Sequence, residues 1–130
     1  MTATAPEGAI TEAEPVLTRI LSMIRSVDEW LDAEVAETYQ GQPLAQHWCR
    51  VAKVAEETGE AVAELIAMTG QNPRKGVCGT LDDLLGELGD TAITAIFAIQ
   101  HFTKDERRTA AVVIAAMEKA AKRAAEAGYE

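Results

Sequence analysis

Apolar residues recur at helical spacing along four stretches of the chain. The first stretch follows Pro15, a residue that suits the first turn of a helix, and it fades between Tyr39 and Pro43. The second extends from about Pro43 to Met68. We therefore predict two long helices. The segment that follows them, residues 70–79, contains three glycines and a proline, a composition typical of a loop.

Two capping signals open the second half of the chain. Thr80 is followed three residues later by Asp83, and Thr103 by Glu106, so each pair can form a capping box at a helix N-terminus. They predict a third helix that ends near the second signal and a fourth that ends near Gly128. With no segment that reads as a strand, the pattern predicts an all-α subunit, a four-helix antiparallel bundle.

The distribution of apolar residues also predicts which faces are buried. The third helix is apolar on nearly every side over residues 91–99, which indicates the centre of a bundle or of an oligomer interface. Asp28 and Asp32 are expected mostly away from the apolar side of the first helix. We expect a homodimer or a homotetramer that buries helix three and part of helix four. In the fourth helix the predicted buried stripe is Ala110, Val113, Ile114, Met117 and Ala121.

Size and charge limit the function classes. The 130 residues suit one domain, for which we expect a disordered leader over residues 1–10 and a helical domain over residues 11–128. A net charge of -9 makes polymeric nucleic acid a poor partner. Two cysteines, no targeting segment at the N-terminus and no apolar run of about 20 residues favour a reduced, cytoplasmic protein with no membrane partner.

Two acid pairs with the same three-residue spacing lie on helices two and three. They are Glu57 with Glu60 and Glu87 with Asp90, and each pair shares one helix face. If the short loop makes the two helices antiparallel, the four carboxylates converge. Such an oxygen-only ligand set favours Mg²⁺ or Mn²⁺. The plain alternative is a solvated acidic face, although the accumulated like charges repel one another.

Iron and zinc sites are not favoured by this sequence. The Glu-x-x-His motif of di-iron bundles and the cysteine or histidine clusters of zinc sites are missing from it.

Each acidic motif contains a glycine within its predicted helix. Gly59 and Gly89 occupy the third position of the two acidic motifs, where glycine costs a helix roughly 1 kcal/mol relative to alanine. We interpret them as places where a neighbouring helix or a ligand approaches closely.

Together these residues resemble a known family signature. Lys53-x-x-x-Glu57-x-x-Glu60, followed after 26 intervening residues by Glu87-x-x-Asp90, is similar to the motif of the MazG-like all-α nucleoside triphosphate pyrophosphohydrolases. The resemblance implies the MazG-like fold completed by oligomerisation. It also implies hydrolysis of a nucleoside triphosphate between the α and β phosphates, with Mg²⁺ held by the four acids, in nucleotide-pool house-cleaning.

The resemblance covers roughly residues 44–102 and suggests roles near the acids. Lys53 matches a basic position of the family and would contact phosphate, with a salt bridge to Glu57 as its alternative. Glu56, grouped with Glu57 and Lys53 as catalytic, is our candidate for orienting or deprotonating the attacking water, with a solvent-facing residue as the alternative.

Substrate contacts are harder to assign from the sequence. His47 and Trp48 are candidates for binding the base, although aromatic residues on helices usually pack in the core. Further aromatic candidates for stacking are Trp30, Tyr39 and Phe97. Family members often carry a lysine followed by an asparagine and an arginine near the C-terminus, and the comparable stretch here, residues 117–123, lacks the asparagine. The candidates for holding phosphate there, or simply for a solvated face, are Lys119, Lys122 and Arg123.

Two other functions fit the same sequence. One is a non-catalytic or regulatory MazG-like protein that binds a nucleotide and a metal. The other is a structural helical adaptor whose acids lie on the surface. Pyrophosphate release from triphosphates distinguishes the first from the enzyme, and a Mg²⁺ effect on the melting temperature distinguishes the second.

Overall fold

The computed structural model describes residues 16–129, which form four α-helices and no strand. The predicted all-α class is therefore confirmed for this part of the chain, while the predicted leader over residues 1–10 lies outside it. Among these residues no helix is both long enough and apolar enough to cross a membrane. The helices are α1 (Val16–Val35), α2 (Pro43–Thr69), α3 (Leu81–Thr103) and α4 (Glu106–Glu126).

The antiparallel pair of α2 and α3 is the main packing unit. Gly70 ends α2 with a φ of 67°, a left-handed conformation that favours glycine. Gly79 lies against α2, because a Cβ atom there would come within 3.0 Å of the Ala67 Cβ. At the opposite end of the pair, His47 Nδ1 lies 2.7 Å from His101 Nε2. The loop thus sets the register that places the middle of α2 opposite the first half of α3.

The third helix is central, as its apolar pattern predicts, because it packs against α1, α2 and α4. Its start also follows the prediction. Thr80 Oγ1 accepts a hydrogen bond from the Asp83 amide at 3.1 Å, and the Asp83 carboxylate accepts one from the Thr80 amide at 3.1 Å. This capping box fixes the first turn, seven residues before the predicted ligand Glu87.

The start of α4 corrects the prediction of a second capping box. Helix α3 continues through Thr103, and Lys104 ends it with a φ of 50°. Asp105 is the N-cap residue, and its carboxylate accepts hydrogen bonds from two first-turn amides. Since Thr103 is still helical and Asp105 fills the cap, the Thr103–Glu106 box is wrong. Glu106 instead pairs with Arg25 at 3.3 Å.

The buried side of α1 also differs from the prediction. Asp28 is buried at 4% exposure, one heptad after Leu21 and on the same side as Ile24. The expectation that this acid points away from the apolar side is therefore wrong for Asp28. Its burial has a physical reason, since two basic side chains surround the carboxylate, as described below.

The predicted buried stripe of α4 is correct only at its beginning. Ala110 and Val113 are half-buried, and Thr109, which was not predicted, is fully buried. Further along, Met117 is 68% exposed and Ile114 is 47% exposed. Ala121 is exposed as well. Among the described residues, α4 packs only against α1 and α3, and the side chains of its second half are exposed.

The two glycines in the acidic motifs do not mark a close approach between helices. A Cβ atom at Gly59 or Gly89 would meet nothing within 4 Å, so the interpretation as helix contacts is wrong for the described chain. We expect Gly59→Ala and Gly89→Ala each to stabilise the protein by about 0.5–1 kcal/mol, since alanine favours an open helix position. Urea unfolding of the single variants measures this gain, and an unchanged or lower stability would contradict it.

Candidate metal centre

Three of the four predicted metal ligands meet where α2 faces α3. Glu57, Glu87 and Asp90 each offer a carboxylate oxygen, and these oxygens lie within 4.8 Å of one another. Glu57 is buried, Glu87 is half-buried and Asp90 is exposed, so the group extends from the helix contact to the surface. Clusters of this kind could hold a metal ion through oxygen ligands alone.

The grouping of these acids disfavours the ionised form of the Glu87 carboxyl. Burial raises the pKa of Glu87, and the neighbouring acids Glu60, Asp90 and Glu57 raise this pKa further. Its Oε2 atom is buried and has no hydrogen-bond partner. Glu60, the fourth predicted ligand, is exposed and lies outside the group of three, although it is near enough to affect Glu87. An unpaired carboxylate oxygen among other carboxylates suits a cation.

Lys53 bridges the two acids that follow it on α2. Its Nζ atom lies 2.6 Å from Glu56 Oε2 and 2.8 Å from Glu57 Oε1. These hydrogen bonds raise the pKa of the Lys53 ammonium. The salt bridge that the sequence allows as an alternative is therefore present. The Glu56 side chain is 56% exposed, so it can reach water or a ligand at the rim of the cluster.

A cavity of about 320 Å³ lies between α1, α2 and α3, and Lys53 is one of the residues that line it. Its lining is mainly apolar and includes three aromatic residues that the sequence offered for stacking, Trp30, Tyr39 and Phe97. Gln46 also lines it. Lys53 lines the cavity and pairs with Glu57, so this one side chain connects the apolar cavity with the acidic cluster.

The other predicted substrate contacts lie elsewhere. His47 and Trp48 line a separate surface groove, and Trp48 is 71% exposed. The three predicted phosphate contacts near the end of α4 are exposed and line neither the cavity nor the groove, and the described residues do not bring them to the acidic cluster. They are Lys119, Lys122 and Arg123.

A second charged cluster was missed by the sequence reasoning. Asp28 and Asp32 on α1 both bind the Lys104 ammonium, at 3.0 Å and 2.7 Å. Arg50 of α2 lies 2.8 Å from Asp32 and 3.8 Å from Asp28. Asp28, Asp32 and His101 have the spacing of a metal site, but two cations already neutralise the two carboxylates. We therefore interpret this cluster as an ion-pair network.

The ion-pair network fixes one wall of the large cavity. Gln46 Nε2 donates to Asp32 Oδ1 at 2.9 Å, and Arg50 pairs with the same oxygen; both residues line the cavity. Burial alone would raise the pKa of Asp32, but the hydrogen bonds from Lys104 and Arg50 outweigh it and leave this pKa lowered. The i,i+4 acids on α1, one of them in register with Leu21, were the available sequence signal.

His101 makes the stability of this region depend on pH. Burial lowers the pKa of His101, and the positive charges of Lys104 and Arg50 lower it further, outweighing the opposite effect of Asp32. The folded protein therefore binds this proton less readily than the unfolded chain, so stability falls as the pH drops below about 6.5.

We expect the melting temperature to decrease between pH 7.5 and pH 5.5, and His101→Asn to flatten that dependence. The contribution of a single proton is at most about 1.4 kcal/mol per pH unit. Thermal unfolding of the wild type and the variant across this range measures the difference. Equal slopes for the two proteins would contradict the assignment to His101.

Comparison of the chain with protein-family models, with curated proteins and with solved structures finds no match. The resemblance to the MazG-like enzymes therefore rests on the motif residues alone, and it stays a prediction.

Proposed function

We propose that the protein is a Mg²⁺-dependent nucleoside triphosphate pyrophosphohydrolase that yields a nucleoside monophosphate and pyrophosphate. The observation that carries the proposal is the convergence of Glu57, Glu87 and Asp90 from two helices, with carboxylate oxygens within 4.8 Å of one another. Both acidic motifs of the family-like signature contribute to this group. The motif spacing in the sequence and the positions of the side chains thus both support Glu57, Glu87 and Asp90 as metal ligands.

The cluster suits a hard divalent cation. All of its ligand atoms are carboxylate oxygens, and Glu87 Oε2 is buried with no hydrogen-bond partner. Glu57, Glu87 and Asp90 would hold the ion, with Glu60 at the edge of the group. When bound, Mg²⁺ or Mn²⁺ would offset the negative charge of the phosphate oxygens, which four acids would otherwise repel.

The cavity beside the cluster supports a nucleotide as the substrate. A volume of about 320 Å³ falls in the size range of small-molecule pockets and can hold a base with its sugar. Its aromatic residues offer stacking surfaces, and Lys53 stands between this cavity and the acids. A nucleoside in the cavity would extend its phosphates past Lys53 toward the cluster.

The reaction adds one water across the bridge between the α and β phosphorus atoms, and pyrophosphate is the leaving group. Glu56 is placed to orient this water and accept its proton, since its carboxylate lies at the rim of the cluster and is more than half exposed. Lys53 holds Glu56 and Glu57 in position before substrate arrives, and it would then contact the phosphates.

The proposal is tested by incubating the protein with Mg²⁺ and a panel of ribo- and deoxyribonucleoside triphosphates. We expect release of monophosphate and pyrophosphate in equal amounts from at least one of them. Glu57→Gln and Asp90→Asn should abolish this activity. Asp82→Asn is the matched control, because Asp82 is an exposed acid on α3 outside the cluster.

Other outcomes would contradict the proposal in distinct ways. Release of diphosphate and inorganic phosphate would indicate a different bond cleaved. Intact Mg²⁺ binding without turnover of any triphosphate would favour the alternative, a non-catalytic or regulatory protein that binds nucleotide and metal. The proposed assembly, a homodimer or a homotetramer, is independent of these results.

A further inference from the structure

The polar side chains that line the large cavity fall into two groups. Those of the first group have partners within the described chain: Tyr39 Oη and Cys49 Sγ lie 2.9 Å apart, and Lys53 pairs with two glutamates. The second group is Gln46, Arg50 and Thr94. A threonine hydroxyl can both donate and accept a hydrogen bond, so it does not discriminate between ligands. The Gln46 amide and the Arg50 guanidinium are therefore the groups that can distinguish one ligand edge from another.

Asp32 fixes the orientation of the Gln46 amide, whose Nε2 atom donates to Asp32 Oδ1 at 2.9 Å. Burial raises the pKa of Asp32, but hydrogen bonds from Lys104 and Arg50 outweigh it and leave this pKa lowered. The carboxylate is therefore ionised at neutral pH and can only accept hydrogen bonds. A flipped amide would place Gln46 Oε1 against an Asp32 oxygen, with two acceptors facing each other. The amide oxygen of Gln46 is thus turned away from Asp32.

This amide oxygen is available to a ligand. Among the residues that the structure describes, Gln46 Oε1 accepts no hydrogen bond. It is not one of the buried polar atoms without a partner, and Gln46 lines the cavity. A ligand in the cavity can therefore donate a hydrogen bond to it.

Arg50 places donors beside this acceptor. Its Nη2 atom lies 2.8 Å from the same Asp32 oxygen that binds Gln46, so the guanidinium and the amide are neighbours. The Arg50 side chain is 10% exposed, and its hydrogen bond within residues 16–129 uses Nη2, which leaves the N–H groups of Nη1 and Nε. A guanidinium has no acceptor. The cavity wall thus presents an acceptor next to fixed donors.

The order of side chains along α2 matches the order of groups in a nucleotide. Lys53 follows Gln46 by seven residues, which is two helical turns or about 10 Å along the helix. A nucleoside spans such a distance between the edge of its base and its 5′ oxygen when the hydrogen bonds at both ends are included. Gln46 and Arg50 therefore lie where the base would be when the phosphates pass Lys53 toward the acidic cluster.

The bases differ in the edge that they would present to this wall. Cytosine and adenine carry an amino group next to an unprotonated ring nitrogen, which is a donor beside an acceptor. Uracil, thymine, guanine and hypoxanthine carry a carbonyl oxygen next to a ring N–H, which is the reverse arrangement. An acceptor from Gln46 and a donor from Arg50 complement the first arrangement and oppose the second.

We propose that the cavity selects nucleotides whose base carries an amino group over those with a carbonyl oxygen in its place, an inference that rests on the proposed function. Gln46 Oε1 accepts a hydrogen bond from the amino group, and Arg50 donates one to the ring nitrogen. A keto base would set its oxygen against Gln46 Oε1 and its N–H against Arg50. These groups would then stay unpaired in a mainly apolar cavity, which weakens binding.

Binding of nucleoside 5′-monophosphates in Mg²⁺, measured by isothermal titration calorimetry, tests the selection without any turnover. CMP and UMP, and likewise AMP and IMP, form pairs of nearly equal size that differ at this edge. In each pair that binds, the amino member should have a Kd at least about tenfold lower, since a site built around hydrogen bonds rejects a ligand that leaves them unmade. The pair that binds also distinguishes a pyrimidine site from a purine site.

Two variants of Gln46 separate base recognition from a structural role. Gln46→Met keeps the size of the side chain but removes the acceptor, so the amino and keto members should bind alike. Gln46→Lys replaces the acceptor by a donor that Asp32 can still hold, so the preference should move toward UMP or IMP. Gln71→Met is the matched control, because Gln71 is an exposed glutamine outside the cavity, and it should keep the wild-type preference. A structural role for Gln46 would weaken all four nucleotides equally.

The wild-type comparison needs no variant, so it decides the proposal even where a variant fails to fold. Equal or keto-preferring binding by the wild type would overturn it, as would no binding of either pair at millimolar concentration. An unchanged preference in Gln46→Met would also overturn it. Hydrolysis of CTP and UTP, and of ATP and ITP, with equal kcat/KM would leave the proposed function intact and contradict the selection. Amino-selective binding without hydrolysis of any triphosphate would do the opposite.

Discussion

Replacing Glu87 by glutamine is expected to raise the melting temperature of the metal-free protein and, at the same time, to abolish its response to Mg²⁺. Burial and the charges of Glu60, Asp90 and Glu57 disfavour the ionised Glu87 carboxyl, so a neutral amide relieves repulsion. The same change removes a carboxylate ligand. Mg²⁺-dependent turnover should fall by at least about 100-fold, since even residues that only support metal ligands contribute 10- to 100-fold.

Thermal unfolding in EDTA and in millimolar Mg²⁺ measures both effects. The wild type should melt at a higher temperature with Mg²⁺, because a ligand that binds only the folded state stabilises it. Asp82→Asn, on the same helix but outside the cluster, should keep the Mg²⁺ response. A Glu87→Gln protein that melts lower than the wild type in EDTA would contradict the repulsion. One that keeps the Mg²⁺ response would contradict the role as a ligand.

Asp28→Asn is expected to destabilise the protein by about 2–3 kcal/mol, because it removes the charge of a buried carboxylate that accepts a hydrogen bond from Lys104 and attracts Arg50. The Asp28 side chain is 5% exposed and lies 3.0 Å from Lys104 and 3.8 Å from Arg50. The loss should lower the melting temperature by roughly 10 °C for a chain of this size. Urea unfolding measures it directly.

The matched control for this prediction is Glu34→Gln, which neutralises an exposed acid of the same helix. Its effect should stay within about 0.5 kcal/mol, as for most surface substitutions. If Asp28→Asn changed the stability no more than this control does, the ion-pair network would contribute little and the cavity wall would have another support.

The sequence predicts the elements of this fold well, because each helix carries its own local signals. The boundaries of α2 follow from Pro43 and Gly70, and the start of α3 follows from the box of Thr80 and Asp83. The convergence of Glu57 with the acids of α3 was also predictable. A short loop between two long helices makes them antiparallel, and the two acid pairs then reach one level if the loop offsets their unequal distances from its ends.

Features that depend on packing between distant segments were not predictable in the same way. The cap at Asp105 rather than Thr103 depends on how far α3 continues. The burial of Asp28 depends on Arg50 and Lys104, which come from two other parts of the chain. A hydrophobic pattern assigns an aspartate to the surface unless its partners are known.

The sequence offers several aromatic candidates for stacking but cannot select among them, for a related reason. Trp48 belongs to the same helix as Lys53, yet it faces the opposite side of the α2–α3 pair. Aromatic composition indicates that a stacking residue is present, but only the rotation of each helix decides which one reaches the cavity. The structure places Trp30, Tyr39 and Phe97 there.

We propose that the acids between α2 and α3 form a divalent-cation site, and a Mn²⁺ titration followed by electron paramagnetic resonance tests for this site. We expect Mn²⁺ to be bound by the wild type and by Asp82→Asn, to be displaced by Mg²⁺, and to be lost in Glu87→Gln and Asp90→Asn. Absence of bound Mn²⁺ in the wild type at millimolar concentration, or equal binding by Glu87→Gln, would contradict it.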